Sequence, residues 1–466
     1  MNTLHRQGLA IAGILIASQT PLSAADFTWN SSTSANWSAE ANWLGGSVPS
    51  GSDAVIKTPA QYGTLVIDRN DTVAGFDVSL TSDWVIYSPD TGTTTLEIAN
   101  LNKSGSRLRF RDSGSGGLRL TIGTVSLTGG NLDFGQENSA SQLTSLTVTG
   151  KTVITSGYMN VNAKSATFDE VNLSGGNLAI YAYAKTGGPV AEGGITVRGL
   201  SGTGGQIYAI YASNRYIAGK LTIDGKAGDV FSYGGKLVDR GGGTGGEVTL
   251  SVFKTGAGIQ KLGGANTYSG TTGINNGVLV VNGTHSGAGK YTVSGTGTLA
   301  GAGTITTTDA DIVIEGGGKL SAGDAGIGKL TLALGTGKLD LTQAGDASLA
   351  FTLGVTASGT AVSLTSGIID IGDGNIDLDS FSFTFAEGFG AGDYTLLAST
   401  GSITGTLGAN LTGVLNGHEA TLALSGDNTS IILSVGAAIP EPSTFALFAG
   451  VCILVLVTSR RRLSRP

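Results

Sequence analysis

Phe253-Lys-Thr-Gly-Ala-Gly-Ile-Gln-Lys-Leu-Gly-Gly-Ala-Asn-Thr-Tyr-Ser-Gly-Thr-Thr-Gly-Ile-Asn-Asn-Gly-Val-Leu-Val-Val-Asn-Gly283 holds, in one short stretch, the grammar of the whole chain. Val, Ile and Leu alternate with polar residues in groups too short for helices, and glycines separate the groups. Alternation with a period of two makes a half-buried strand, while glycine supplies the positive φ that a tight corner needs. Asn266 and Ser269 can satisfy the backbone groups of a turn, and Tyr268 is expected to cover the corner.

Outward from this stretch the pattern repeats. Gly277-Val-Leu279, Gly297-Thr-Leu299, Gly318-Lys-Leu320 and Gly337-Lys-Leu339 align at steps of 20, 21 and 19. Upstream, Val125-Ser-Leu-Thr-Gly-Gly-Asn-Leu132 recurs 46 residues later as Val171-Asn-Leu-Ser-Gly-Gly-Asn-Leu178. Leu146-Thr-Val-Thr-Gly150, Ile195-Thr-Val-Arg-Gly199 and Leu221-Thr-Ile-Asp-Gly225 share a second pattern. Merged, strands start near 125, 146, 171, 195, 221 and 248. A strand–turn period of this size marks a β-solenoid, in which no coil is stable alone. Leucine-rich repeats fail for want of their asparagine-bearing consensus, whereas an antiparallel sandwich remains the rival, because alternation alone does not fix parallel pairing. Stacked at about 4.8 Å, roughly 15 to 18 coils give a rod on the order of 70–85 Å, with Thr and Ser on its outer face.

Composition agrees with this class. The 466 residues include 77 glycines without a three-residue period, which excludes collagen, and the 40% apolar content argues against disorder. The formal charge is −7; setting aside Arg6 and the arginines at 460, 461, 462 and 465 leaves 22 basic against 34 acidic residues, or −12. Such a surface does not seek nucleic acid. Cys452 is the only cysteine, so the central region has neither disulfides nor thiol chemistry.

The two ends read as addresses. Met1 to about Ala25 has His5 and Arg6, an apolar stretch from Gly8 to Ala17, and small residues at Ser23, Ala24 and Ala25, the pattern of a signal peptide. Three tryptophans follow, Trp29, Trp37 and Trp43, as a cap for the open end of the stack; the alternative is an aromatic platform for sugars. At the other end, Pro440-Glu441-Pro442 holds an extended, accessible peptide before the apolar run Phe445 to Val457, and Arg460, Arg461 and Arg462 flank that run as a membrane helix would require.

Two resemblances sharpen this. Lys254-Thr255-Gly256-Ala257-Gly258 followed by Gly264-Ala265-Asn266-Thr267-Tyr268-Ser269-Gly270 closely resembles the autotransporter-associated β-strand repeat, which implies a parallel β-helix on the bacterial exterior. The order Pro-Glu-Pro, apolar helix, arginine cluster resembles the PEP-CTERM sorting signal of Gram-negative bacteria, which implies processing by an exosortase. The outer-membrane barrel of autotransporters is not matched. The expected organisation is a signal peptide at 1–25, a Trp-rich cap at 26–60, solenoid coils at 61–250, the repeat region at 251–341, terminal β coils or a cap at 342–436, and the sorting signal with its transmembrane helix at 437–466. The fold expected is all-β, a right-handed parallel β-helix.

Chemistry is sparse. His285 and His418 fall in glycine-rich turns with no acid or nucleophile near in sequence, so no triad assembles. Asp239-Arg240 and Arg109-Phe-Arg111-Asp112 are the densest charged points and read as solvated strand faces. Ile371-Gly-Asp373-Gly-Asn375-Ile-Asp377-Leu-Asp379 places acids on one strand face as calcium requires, but as a loop it lacks the EF-hand Gly and Glu. No cofactor or metal site is assigned. The expectation is a non-enzymatic surface protein, structural or adhesive, anchored as a precursor in the membrane, with an exosortase-type enzyme and extracellular polysaccharide as partners. The alternative is a polysaccharide-active β-helix enzyme.

Overall fold

The computed structural model describes residues 24–113, 116–135, 143–182, 194–211, 219–240, 248–324, 328–355 and 361–439. Fifteen successive parallel pairings link sixteen levels, from Ala25–Thr28 to Ile403–Leu407. At the usual strand spacing this is a ladder of about 72 Å. Parallel pairing between consecutive coils rules out the antiparallel sandwich.

A level has three sides. In the level beginning at Gly117, residues 118–122 form the first side, 125–127 the second, and Asn131–Phe134 the third. One inward column on the first side runs Val73, Ile98, Ile122, Val148, Phe168, Val197, Ile223, Lys254, Ile274, Val293, Ile314, each paired in register with the next. On the second side Phe76, Leu101, Val125, Thr152, Val171 and Leu200 do the same. These columns meet at the centre and form one continuous apolar core. The turn into the third side repeats one backbone conformation. Gly130 has φ +62 and Gly176 has φ +65, and a Cβ on Gly130 would stand 1.6 Å from the carbonyl oxygen of Gly105. That is why Gly-Gly-Asn recurs at 129–131 and 175–177.

Register corrects two parts of the repeat reading. Val125 and Val171 are two levels apart, with Thr152 between them, while Leu146, Ile195 and Leu221 belong to the first side. The merged series therefore mixed two sides. Leu279, Leu299 and Leu320 do stack, but Leu320 continues to Leu349, whereas Leu339 pairs with Ile312 on a different side. The chain lengthens between Ser321 and Leu330, so Leu330–Asp340 runs from the third side into the first side of the next level.

Both described ends are closed. Trp29, Trp37 and Trp43 are buried, with edge-to-face contacts at 5.2 and 5.1 Å. Their indole N–H groups reach the carbonyls of Gly63, Pro49 and Trp37, and that of Trp37 also reaches Asp71. Buried rings cannot serve as an exposed sugar platform. At the far end the pairing turns antiparallel: Ser430–Ala438 lies between Gly392–Ser399 and His418–Leu424, which pairs in turn with Thr412–Leu415. Among the described residues no helix is long and apolar enough to cross a membrane. The expected signal peptide and the segment carrying Pro440, Glu441, Pro442, Arg460, Arg461 and Arg462 lie outside the described residues.

One ladder defect is repaired by a side chain. Among the described residues, strand Val230–Tyr233 pairs with the level before it on this side through the single bridge Gly202–Tyr233, which leaves Leu200 without a strand partner ahead. Gln260, fully buried one level further on, accepts from the Leu200 N–H at 2.9 Å and donates to the Leu200 carbonyl at 3.0 Å. Its amide stands in for a peptide group. Gln260→Leu strands both backbone groups and should cost about 2–4 kcal/mol in urea unfolding; Gln260→Glu, unable to donate when ionised, should also destabilise. A neutral Gln260→Leu would contradict this account.

Candidate functional site

The outer side of the third face brings aromatic, amide and charged groups together. Strands Trp84–Tyr87, Leu108–Arg111, Asn131–Phe134, Tyr158–Val161, Asn177–Ala182, Gln206–Tyr211 and Lys236–Val238 stack here in register. Their alternate residues Trp84, Ile86, Leu108, Phe110, Leu132 and Phe134 point to the core. The residues between them form outward columns. One runs Asn131, Tyr158, Asn177, Gln206, Lys236, and its neighbour runs Val85, Arg109, Asp133, Asn160, Ala179, Tyr208, Val238. Tyr158 is 45% exposed.

Charge is largely neutralised within this face. Asp133 is buried, lies 3.3 Å from Arg107 and 3.6 Å from Arg109, and accepts from Asn160 at 2.7 Å. Arg109 also meets Asp83 at 3.1 Å. Arg111 donates to the Tyr87 hydroxyl at 3.4 Å. Asp112 turns back to accept from Leu118 N–H at 2.7 Å, and burial raises its carboxyl above the ordinary range. Arg109 is thus ion-paired, Arg111 bonded to a phenol and Asp112 buried against a backbone N–H, so the run is not the solvated face expected. Arg240 lies over the Tyr208 ring at 5.0 Å, whereas Asp239 ties two levels together by accepting from Leu250 N–H and Ser269 N–H, both at 2.8 Å.

The stretch from Val252 to Val281 shows what its motif is for. Lys254 sits in the apolar column between Ile223 and Ile274, and its ammonium donates to the carbonyls of Gly256 and, at 3.3 Å, Asn276. Lys103 repeats the device between Val78 and Leu127, donating to Gly105 at 3.1 Å and Gly129 at 2.7 Å. In both, Lys-Ser/Thr-Gly closes a corner from inside. Asn266 accepts from Leu237 N–H at 2.9 Å and donates to Gly264, the turn role expected of it. Tyr268 corrects its expected place: instead of covering the corner it is buried within it, stacked on His285 at 4.1 Å and bonded to Thr272 at 2.8 Å.

His285 is likewise in a strand, not a turn. Its Nε2 lies 2.8 Å from the Tyr268 carbonyl, which only accepts, so Nε2 carries the hydrogen and Nδ1 accepts from the Tyr291 hydroxyl. Burial lowers its pKa below the ordinary value. A neutral imidazole with both nitrogens used is a core group. His418 opens a strand and bonds the Gly436 carbonyl at 2.8 Å.

The acids of the 371–379 segment do not share one strand face. The strand ends at Ile376, Asp377 caps a short 3₁₀ turn by accepting from Asp379 N–H, and Asp379 accepts from Asn410 at 2.8 Å. Among the described residues no three His, Cys, Asp or Glu groups converge as a metal site would require.

Fold and face together define an all-β protein of stacked parallel coils with a polar, aromatic-studded outer side. Residues 252–281 match the family model of the passenger-associated transport repeat, about one coil and the strand that follows it. This supports the resemblance to the autotransporter-associated repeat and points to an exported, surface-type protein. No curated protein matches the chain.

Burial pushes the Lys103 and Lys254 ammonium groups down to about 8. Between pH 8 and 10 the unfolded chain then binds more protons than the folded one, so thermal stability should rise with pH. Burial raises Tyr268 to about 12 and Tyr291 and Tyr233 in the same direction. Above pH 10 the unfolded tyrosines ionise first and stability should fall. A melting temperature that falls steadily from pH 8 to 10 would contradict the buried-lysine assignment.

Proposed function

We propose that the protein is an exported rod, structural or adhesive in the envelope, extracellular matrix or biofilm of a Gram-negative bacterium. The observation that carries this is the outward column Glu97, Thr121, Thr147, Thr167, Thr196, Thr222, one polar residue per level in unbroken register. Such a column offers the same weak contact many times, and avidity then supplies strength without a deep pocket. In this reading Pro440-Glu441-Pro442 is the peptide presented to an exosortase-type enzyme. The apolar run with Arg460, Arg461 and Arg462 holds the precursor in the membrane until then, and extracellular polysaccharide is the surface partner.

A polysaccharide-active enzyme is the second reading, favoured by the Arg109, Asp133 and Asn160 lattice on the third side. There, however, Asp133 is buried and already engaged by two guanidinium groups and an amide. The test is the mass of the mature C-terminus in outer fractions of a Gram-negative host with and without an exosortase. Loss of the tail only with the enzyme present, together with altered surface association on deletion of the protein, is expected. An intact tail in both hosts would overturn the sorting claim, and cleavage of polysaccharide by the purified rod would favour the enzyme.

A further inference from the structure

We infer that the groove at the first levels of the third side binds a neutral polysaccharide, which gives the adhesive reading a defined subsite and rests on that reading. The groove measures about 520 Å³, within the range of small-ligand sites. Along its floor Asn36, Val66 and Tyr87 occupy consecutive levels of one outward column, paired in register. At about 4.8 Å per level the column offers an amide, an apolar patch and an aromatic ring in a line along the rod. This is the order a sugar chain asks for: a C–H face of each ring against Val66 and Tyr87, with hydroxyls at the edges.

The edges supply the polar partners. Thr64, Asp68 and Asp90 line the groove. Asp68 is fixed by accepting from both the backbone N–H and the hydroxyl of Ser38. Arg111, one level beyond Tyr87, donates to its hydroxyl and anchors the phenol end of the ring. Neither Asp68 nor Asp90 has an ion pair among the described residues. Set against the guanidinium of Arg111 beside the floor, these two carboxylates leave the groove net negative; they accept hydroxyl hydrogens and disfavour uronates, sulfated chains and nucleic acid. Charge thus selects neutral sugars from the polysaccharides a surface protein meets.

The experiment is affinity electrophoresis of the full-length protein through gels containing a neutral β-glucan, a neutral galactomannan or polygalacturonate, with and without calcium chelator. Retardation by a neutral polymer, unchanged by chelator, is expected. Tyr87→Ala should weaken it about tenfold or more through loss of the stacking ring. Tyr87→Phe should retain it, and Val230→Ala, exposed on another side of the rod and outside the groove, should leave it within about twofold. Circular dichroism and melting of each variant report on folding independently. Equal retardation of Tyr87→Ala and the parent, retardation by polygalacturonate alone, dependence on calcium, or no retardation by either neutral polymer would each overturn the inference. Surface association of the Tyr87→Ala protein in cells separates the two claims. If association persists while glycan retardation is absent in the parent, the subsite fails and the surface role stands. If glycan binding holds but neither protein associates with cells or matrix, the surface role fails.

Discussion

Every feature of this molecule depends on one constraint: each coil must present a backbone ladder in register with the coil beneath it. A strand edge left unpaired and buried is costly, so a level is held by the levels on either side, and stability is distributed along the rod. Side chains of one column then touch their counterparts above and below. That is why Ile98, Ile122, Val148, Phe168 and Val197 can differ in shape yet form one apolar wall. It also explains why glycine is needed where corners nest, as at Gly130 against Gly105.

Several of the polar groups in the core act where the ladder cannot close itself. Gln260 completes the backbone of Leu200, Lys103 and Lys254 hold corner carbonyls, and Asn266 ties Leu237 to the turn at Gly264. Three of the most conspicuous residues in the matched segment, Lys254, Asn266 and Tyr268, thus act on packing and backbone satisfaction. The segment is recognisable because these corners admit few solutions. The outer surface, free of that demand, is where binding properties can vary.

Much of the fold was legible because its strongest signals are local. Alternation, glycine corners and the Val252–Val281 motif suffice for stacked β coils, and indole N–H groups explain why Trp29, Trp37 and Trp43 bury with carbonyl partners. Which strands stack was less legible. Leu339 looks like Leu320 in sequence, but an added stretch before Leu330 moves it to another side, and nothing in the local pattern counts corners. The third-side lattice was hidden for the same reason: Arg109, Asp133 and Asn160 are 24 and 27 residues apart and become neighbours only through register. Tyr87, Val66 and Asn36 likewise form a line only after three levels are stacked.

Register therefore underlies every site on the rod, and a distance ruler along one column tests it most directly. Spin labels at Thr121 paired in turn with Thr147, Thr222 and Thr292, in a Cys452→Ser background, sample separations of one, four and seven levels. The backbone separations should be about 5, 19 and 34 Å, with the measured distances rising in proportion to level once label length is allowed for. Distances that fail to grow with level number, or a Thr121–Thr292 separation near that of Thr121–Thr222, would contradict the stacked-coil architecture and every site built upon it.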